Sequence, residues 1–291
     1  MRVYLDTDLW NASCDQNGSP SRVLESLDRR GWTPVLGMHV VYELLKNFSH
    51  GNTQRGQQLF SHIHAYLQAG LRCISKDFSE ILVAEMYALK GAHSAEKFLT
   101  FDDVEKISTE IERLSRGDIE SKWYEHIEDM QAGAARDRKR VREGISQHSA
   151  HRDLLRNVPE ADLDEWLRKS TDTEFGRQIL FINLKARFPE ESDIELREYA
   201  AELLRLDARG AGALIRADIY YAWRCANRGS NRKDLLDDMY HVLSASYCNA
   251  YATGEARQAE YASLLLWRDV RVCTYSREHQ LSEWLSIAVA R

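Results

Sequence analysis

Short apolar runs separated by stretches of helical period limit what this chain can fold into more than any other feature. Residues 3–5 (VYL), 33–36 (TPVL) and 71–75 (LRCIS) are each long enough for a buried strand and too short for a helix. Between them, residues 21–30 carry Val23, Leu24 and Leu27 at helical spacing. Residues 38–48 set Val40, Val41, Leu44, Leu45 and Phe48 on one side, and residues 53–69 make a third helix that runs out at Gly70. Strands joined through helices return in the same direction, so the order β-α-β-α-α-β predicts a parallel sheet with crossover helices. Strand signals resume only at 248–253 (CNAYAT) and 270–275 (VRVCTY), with helices predicted over 210–226, 234–245, 257–266 and 277–289.

Residues 77–209 read as entirely helical. Helices are predicted at 77–89, 104–114, 159–169, 174–188 and 194–206, with a long charged helix or pair over 118–148. Asp102 with Glu105, and Ser192 with Glu195, have the spacing of capping boxes, in which each side chain satisfies the other residue's backbone N–H. The expected organisation is therefore an α/β domain built from residues 1–76 and 210–291, interrupted by a helical insertion over 77–209. At 291 residues the chain can bury a large core, and four prolines with 44% apolar residues fit a helix-rich globular protein. The five cysteines are odd in number and lack any CxxC spacing, which predicts reduced thiols. Asp6 and Asp8 break up the N-terminal apolar stretch, and no apolar run approaches bilayer length. A soluble, cytoplasmic protein without a membrane partner is the expectation.

Four acids stand where chemistry is plausible: Asp6 after the first strand, Glu43 inside an apolar helix run, Asp238 early in a late helix, and Glu255 after the fourth strand. Each has a plainer reading. Asp6 is a favoured helix N-cap, Asp8 suits a cap or a supporting role, and Glu255 alone is a turn acid. Capping accounts for one of Asp237 and Asp238. Glu43 either lies on the wet side of its helix or, if buried, needs a partner or a metal. Taken together, carboxylates converging at the C-terminal sheet edge would repel one another unless cations neutralised them. Oxygen donors without a Cys or His cluster select a hard ion, Mg²⁺ or Mn²⁺. Such ions generate hydroxide and steady both oxygens of an in-line phosphoryl displacement.

Residues 3–8 (VYLDTD), 40–47 (VVYELLKN), 237–255 (DDMYHVLSASYCNAYATGE) and 270–275 (VRVCTY) together resemble the PIN-domain nucleases. The resemblance covers residues 1–76 and 210–291 and leaves out the insertion. It implies a three-layer α/β/α fold with a five-stranded parallel sheet of order 3-2-1-4-5, an endoribonuclease activity and Mg²⁺ or Mn²⁺ as cofactor. Asp6, Glu43, Asp238 and Glu255 fall at the positions of that family's metal-binding acids. Thr7 and Thr253 fall beside the metal, and Asp8 and His241 in supporting roles. Glu255 stands where Asp is commoner in the family. The insertion would serve as a substrate-gripping arm, a lid, or a surface for a second copy or a protein inhibitor. A catalytically idle RNA- or protein-binding relative, or a nuclease for structured DNA, are the alternatives.

A net charge of −6 is not that of a general nucleic-acid binder, so an RNA substrate needs local basic patches. Arg136, Arg138, Lys139, Arg140 and Arg142 form the densest positive run, although nearby acids could equally pair with it. Arg228, Arg232 and Lys233 lie just ahead of Asp238. His241, one turn beyond Asp238, either touches the site or packs in the core. Trp10 is near enough to Asp6 in sequence to line a base-stacking wall.

Overall fold

A computed structural model describes residues 1–91, 104–120, 155–228, 235–276 and 278–288, with scattered residues from 122 to 139. Five strands, β1 (Arg2–Leu5), β2 (Thr33–Gly37), β3 (Cys73–Ser75), β4 (Ala250–Thr253) and β5 (Arg271–Thr274), form one sheet of order β3-β2-β1-β4-β5. Every pairing is parallel. This is the α/β class and the strand order expected. β1 lies at the centre, with Tyr4 opposite Val35 of β2 on one side and Tyr251 of β4 on the other. Val3, Tyr4 and Leu5 are buried in succession, as are all four residues of β4. Consecutive burial means that both faces of the sheet are covered, the usual state of parallel sheets.

The chain leaves β1 for β2 on one side, and reaches β4 on the other only after more than two hundred residues. The crevice beyond the C-terminal ends of β1 and β4 is therefore a topological switch point, where open α/β sheets bind their ligands. Helix α1 (Thr7–Asp15) starts immediately after β1. It has no counterpart among the predicted elements. Its apolar positions Leu9, Trp10, Ala12 and Cys14 are interleaved with Asn, Ser and Asp, and the tertiary burial of that face forms the helix. Next come α2 (Pro20–Asp28), opened by proline at its first position, α3 (Met38–Ser49) and α4 (Thr53–Gln68). β3 and β4 each begin two residues later than predicted.

Between β3 and β4 the described residues are helical: α5 (Phe78–Gly91), α6 (Val104–Ser115), a 3₁₀ turn (Glu160–Asp162), α7 (Leu163–Thr171), α8 (Glu174–Arg187), α9 (Asp193–Arg205), α10 (Arg209–Arg228) and α11 (Leu235–Leu243). The Ser192–Glu195 capping box is made in both directions. Asp102 of the other predicted box lies outside the described residues, as does most of 118–148. After β4, α12 (Ala256–Leu265) leads to β5, and α13 (Leu281–Ala288) follows. Among the described residues, the helices of the predicted insertion contribute to the same apolar core as the sheet. α6 packs on α4, α10 packs on α5, α7, α8 and α11, and one continuous apolar cluster runs from Val3 through Leu180 and Leu203 to Leu285. Among the described residues no helix is long and apolar enough to cross a membrane. All five cysteines are free.

Candidate functional site

Asp6 ends β1 and caps α1 at the same time. Its extended backbone carries the ladder one step further, the N–H donating to Ala252 O at 3.0 Å. Its Oδ1 accepts from the Thr7 N–H at 2.8 Å and its Oδ2 from the Thr253 hydroxyl at 2.6 Å. The Glu255 N–H donates to that hydroxyl at 3.0 Å, so Thr253 passes one hydrogen bond in and one out. Asp8, two residues along, accepts from the Gly254 N–H at 2.6 Å through Oδ2, while its buried Oδ1 has no hydrogen-bond partner. The ends of β1 and β4 are thus stitched together by carboxylates.

Glu43 reaches the same place from α3. Four residues earlier on that helix, and hence on the same face, is His39. The Thr7 hydroxyl donates to Glu43 Oε2. From α11, His241 enters between the acids, with Nε2 3.2 Å from Asp6 Oδ1 and Nδ1 3.4 Å from Glu43 Oε2. The His39 and His241 ring centroids are 4.7 Å apart, tilted by 30°. Nε2 of His241 is close to Asp6 but not aligned for a hydrogen bond, and it remains unsatisfied. A neutral imidazole has a single N–H. Wedged between two carboxylates, His241 must turn a lone pair toward one of them. The Asp6 and His241 side chains are 4% and 1% exposed and that of Glu43 is 29% exposed, so the cluster opens to solvent past Glu43.

Burial raises Asp6 to about 7, against the hydrogen bond from Thr253, and the Glu43 charge adds to the rise. Asp8 is also pushed up to about 7, by burial and then by the charge of Asp6. Burial and the neighbouring His241 drive His39 down to about 3, and burial lowers His241 too. For Glu43, burial is outweighed by His241, His39 and the Thr7 hydrogen bond, leaving it below its usual value. With both imidazoles neutral near pH 7, what persists there of the downward pull is the Thr7 hydroxyl and the Lys46 charge.

No family model, curated protein or solved structure matches this chain.

Of the residues singled out in the sequence, Asp6, Thr7, Asp8, Glu43, His241 and Thr253 come together directly. Glu255 is exposed at the start of α12, joined through its backbone to Thr253, and its charge is felt by Asp8 and His241. Asp238 is half-buried on α11, one turn before His241, and its charge adds to the burial that raises the phenol of Tyr261 on α12. Arg228 is exposed at the end of α10, paired with Glu160 and lying over the Trp223 ring. Arg136 and Lys139 are exposed helical positions. Arg138, Arg140, Arg142, Arg232 and Lys233 lie outside the described residues. Trp10 is no stacking wall: it is 1% exposed, donates to Leu5 O at 3.1 Å and packs edge-on against Tyr66.

Nitrogen donors stand beside the oxygen donors that the sequence led us to expect. His39, Glu43 and His241 each offer a donor atom, all within 4.8 Å of one another. His39 was missed because a histidine inside an apolar helical run reads as core. Its one sequence signal is the four-residue spacing to Glu43. The residues of the cluster could hold a divalent cation: a carboxylate oxygen of Asp8 and a ring nitrogen of His241 are buried without a hydrogen-bond partner, among acids that burial makes costly to ionise.

Proposed function

We propose that this protein is a metal-dependent endonuclease of the PIN-like kind, acting on the phosphodiester bonds of RNA. The observation that carries the reading is the convergence of Asp6, Asp8 and Glu43 beyond the C-terminal ends of β1 and β4, where the order of the strands reverses. When bound, Mg²⁺ or Mn²⁺ would supply Lewis acidity and an activated water to the reacting phosphate. The residues of the chain do the rest. Thr7 and Thr253 hold the Glu43 and Asp6 carboxylates by their hydroxyls, and each carboxylate oxygen keeps a lone pair free for a further partner. Gly254 fixes Asp8 through its backbone. Glu43, more accessible than Asp6 or His241, stands on the side from which a substrate would arrive. Asp238 and Glu255 lie within one turn or one hydrogen bond of these groups and extend the negative surface. Arg228, Arg232 and Lys233, with the 136–142 run, are the groups proposed to contact the RNA backbone.

Asp6→Asn and Asp238→Asn are each expected to lower Mn²⁺- or Mg²⁺-dependent cleavage of single-stranded or structured RNA by about a hundredfold or more. Their circular dichroism should match that of the unaltered chain. Retention of cleavage by both variants would sink the reading, and preferential cleavage of branched or flapped DNA in competition would change its substrate.

One observation favours a second reading, a catalytically idle module that binds RNA or protein. Both oxygens of Asp6 and one of Glu43 already accept hydrogen bonds within the chain, so the network has internal support. That reading predicts no turnover and no rise in melting temperature on adding Mn²⁺.

A further inference from the structure

We propose that His39, Glu43 and His241 form a dedicated site for one first-row transition-metal ion, with Asp6 standing behind His241 as its hydrogen-bond partner rather than as a ligand of that ion. This rests on the nuclease reading for the use of the ion, but not for its binding.

The first observation is the donor set. His39 and Glu43 project from one face of α3, a turn apart, and His241 meets them from α11. Their three donor atoms already lie within 4.8 Å of one another. Ligands at about 2.0–2.2 Å from a common ion stand roughly 3–3.5 Å apart, so binding asks for a contraction of about an ångström. Two imidazoles and one carboxylate form a mixed nitrogen–oxygen set. Such a set suits Mn²⁺, Fe²⁺, Co²⁺ or Zn²⁺ and is a poor match for Mg²⁺ and Ca²⁺, which take oxygen.

The second observation is independent of that geometry. His241 is 1% exposed, and its Nε2 is buried without a hydrogen-bond partner although Asp6 Oδ1 lies 3.2 Å away. Nδ1 faces Glu43 Oε2 at 3.4 Å. A cation shared by Nδ1 and Glu43 resolves the conflict on both sides of the ring. It takes the Nδ1 lone pair and fixes the proton on Nε2, which a slight rotation would then aim at Asp6. Carboxylate–histidine–metal relays of this form set the tautomer of the ligand and its orientation. Glu43 has the matching support, since the Thr7 hydroxyl donates to Oε2. Two of the four acids that the sequence treats as equals thereby part company: Glu43 binds the ion and Asp6 orients a ligand, while Asp8, with its free Oδ1, is left to face a second ion or the substrate's water.

The test is binding of Co²⁺, Zn²⁺ and Mg²⁺ to the full chain by calorimetry, with pulsed electron paramagnetic resonance of the Mn²⁺-loaded protein. The expected result is one Co²⁺ or Zn²⁺ site at least about tenfold tighter than any Mg²⁺ site, with ¹⁴N couplings from two imidazoles on Mn²⁺. His39→Gln and His241→Gln should each weaken Co²⁺ binding by about tenfold or more, and Thr7→Val, which keeps all three ligands, by a smaller factor. Should the histidine variants fail to fold, the nitrogen couplings of the unaltered chain still decide. Oxygen-only coordination of Mn²⁺, or Mg²⁺ bound as tightly as Co²⁺, overturns the proposal. Oxygen-only coordination of Mn²⁺ in a chain that cleaves RNA would remove this site while leaving the nuclease reading intact. Nitrogen coordination without any cleavage would do the reverse.

Discussion

Tyr4 fills the space that a side chain at residue 37 would need. A Cβ on Gly37 would fall 2.0 Å from the Tyr4 hydroxyl and 2.5 Å from Cζ, inside the contact limit of any pair of atoms. The Gly37 backbone is ordinary, with φ −79° and ψ 139°, so glycine is required by this close approach and not by its freedom to adopt unusual angles. Tyr4 cannot retreat. It stacks on Tyr251 at 5.7 Å and meets the edge of His241 at 5.7 Å. Gly37→Ala should therefore cost about 1–3 kcal/mol in urea unfolding, as overpacked cores do, and should weaken metal binding by pushing Tyr4 toward His241. Unchanged stability would mean that the Tyr4 ring is free to move. At this scale the sequence was half legible. Asp6 and Glu43 could be picked out because a carboxylate at a strand end, or within an apolar helix run, is conspicuous. Gly37 and His39 could not, because what gives each its meaning is a residue far along the chain: Tyr4 for one and His241 for the other.

Helix α10 begins against a buried acid from another element. Glu85, on α5, accepts from the Gly210 and Ala211 N–H groups at 2.7 and 2.9 Å and from the Tyr247 hydroxyl. A carboxylate is well placed there, where a helix leaves its first N–H groups unpaired. Burial nevertheless raises Glu85 to about 7 from 4.5, against those three hydrogen bonds. The folded chain thus holds a proton that the unfolded chain gives up between pH 4.5 and 7. The contribution of Glu85 is full below the lower value and is lost as pH rises through the upper one. Glu85→Gln cannot lose that proton. The unaltered chain should lose about 1.4 kcal/mol more per pH unit than the variant between those limits in urea unfolding. Parallel pH profiles would show that Glu85 is ionised in the fold. The variant should also be less stable by about 1–3 kcal/mol at low pH, since its amide presents N–H to a backbone donor. Elements were more legible than residues. The predicted helices over 38–48, 174–188 and 210–226 match within a few residues, and the Ser192 box is built as its spacing requires. Helix α1 was not legible, because its start is signalled only by an aspartate already assigned to the strand end.

Over the whole molecule, the helices between β3 and β4 share the core of the sheet. Leu114 of α6, Leu180 of α8 and Leu203 of α9 belong to the same buried cluster as Val35 and Tyr251. Heat or urea should accordingly unfold the chain in one transition, with tryptophan fluorescence and circular dichroism coinciding. A chain lacking residues 77–209 would strip cover from α4 and α10 and should not fold cooperatively. Separate transitions, or a folded deletion, would show two independent units. Composition could not reveal this sharing, because a helix that packs on its neighbours and one that packs on a sheet have the same period. The central position of β1 has a further consequence for the order in which a ribosome makes the chain. Asp6 and Asp8 leave the exit tunnel about 250 residues ahead of Thr253 and Gly254, which hold them. A nascent chain on its messenger RNA, or one released early by a premature stop, therefore carries the carboxylates of Asp6, Asp8 and Glu43 without the late residues that hold the two aspartates.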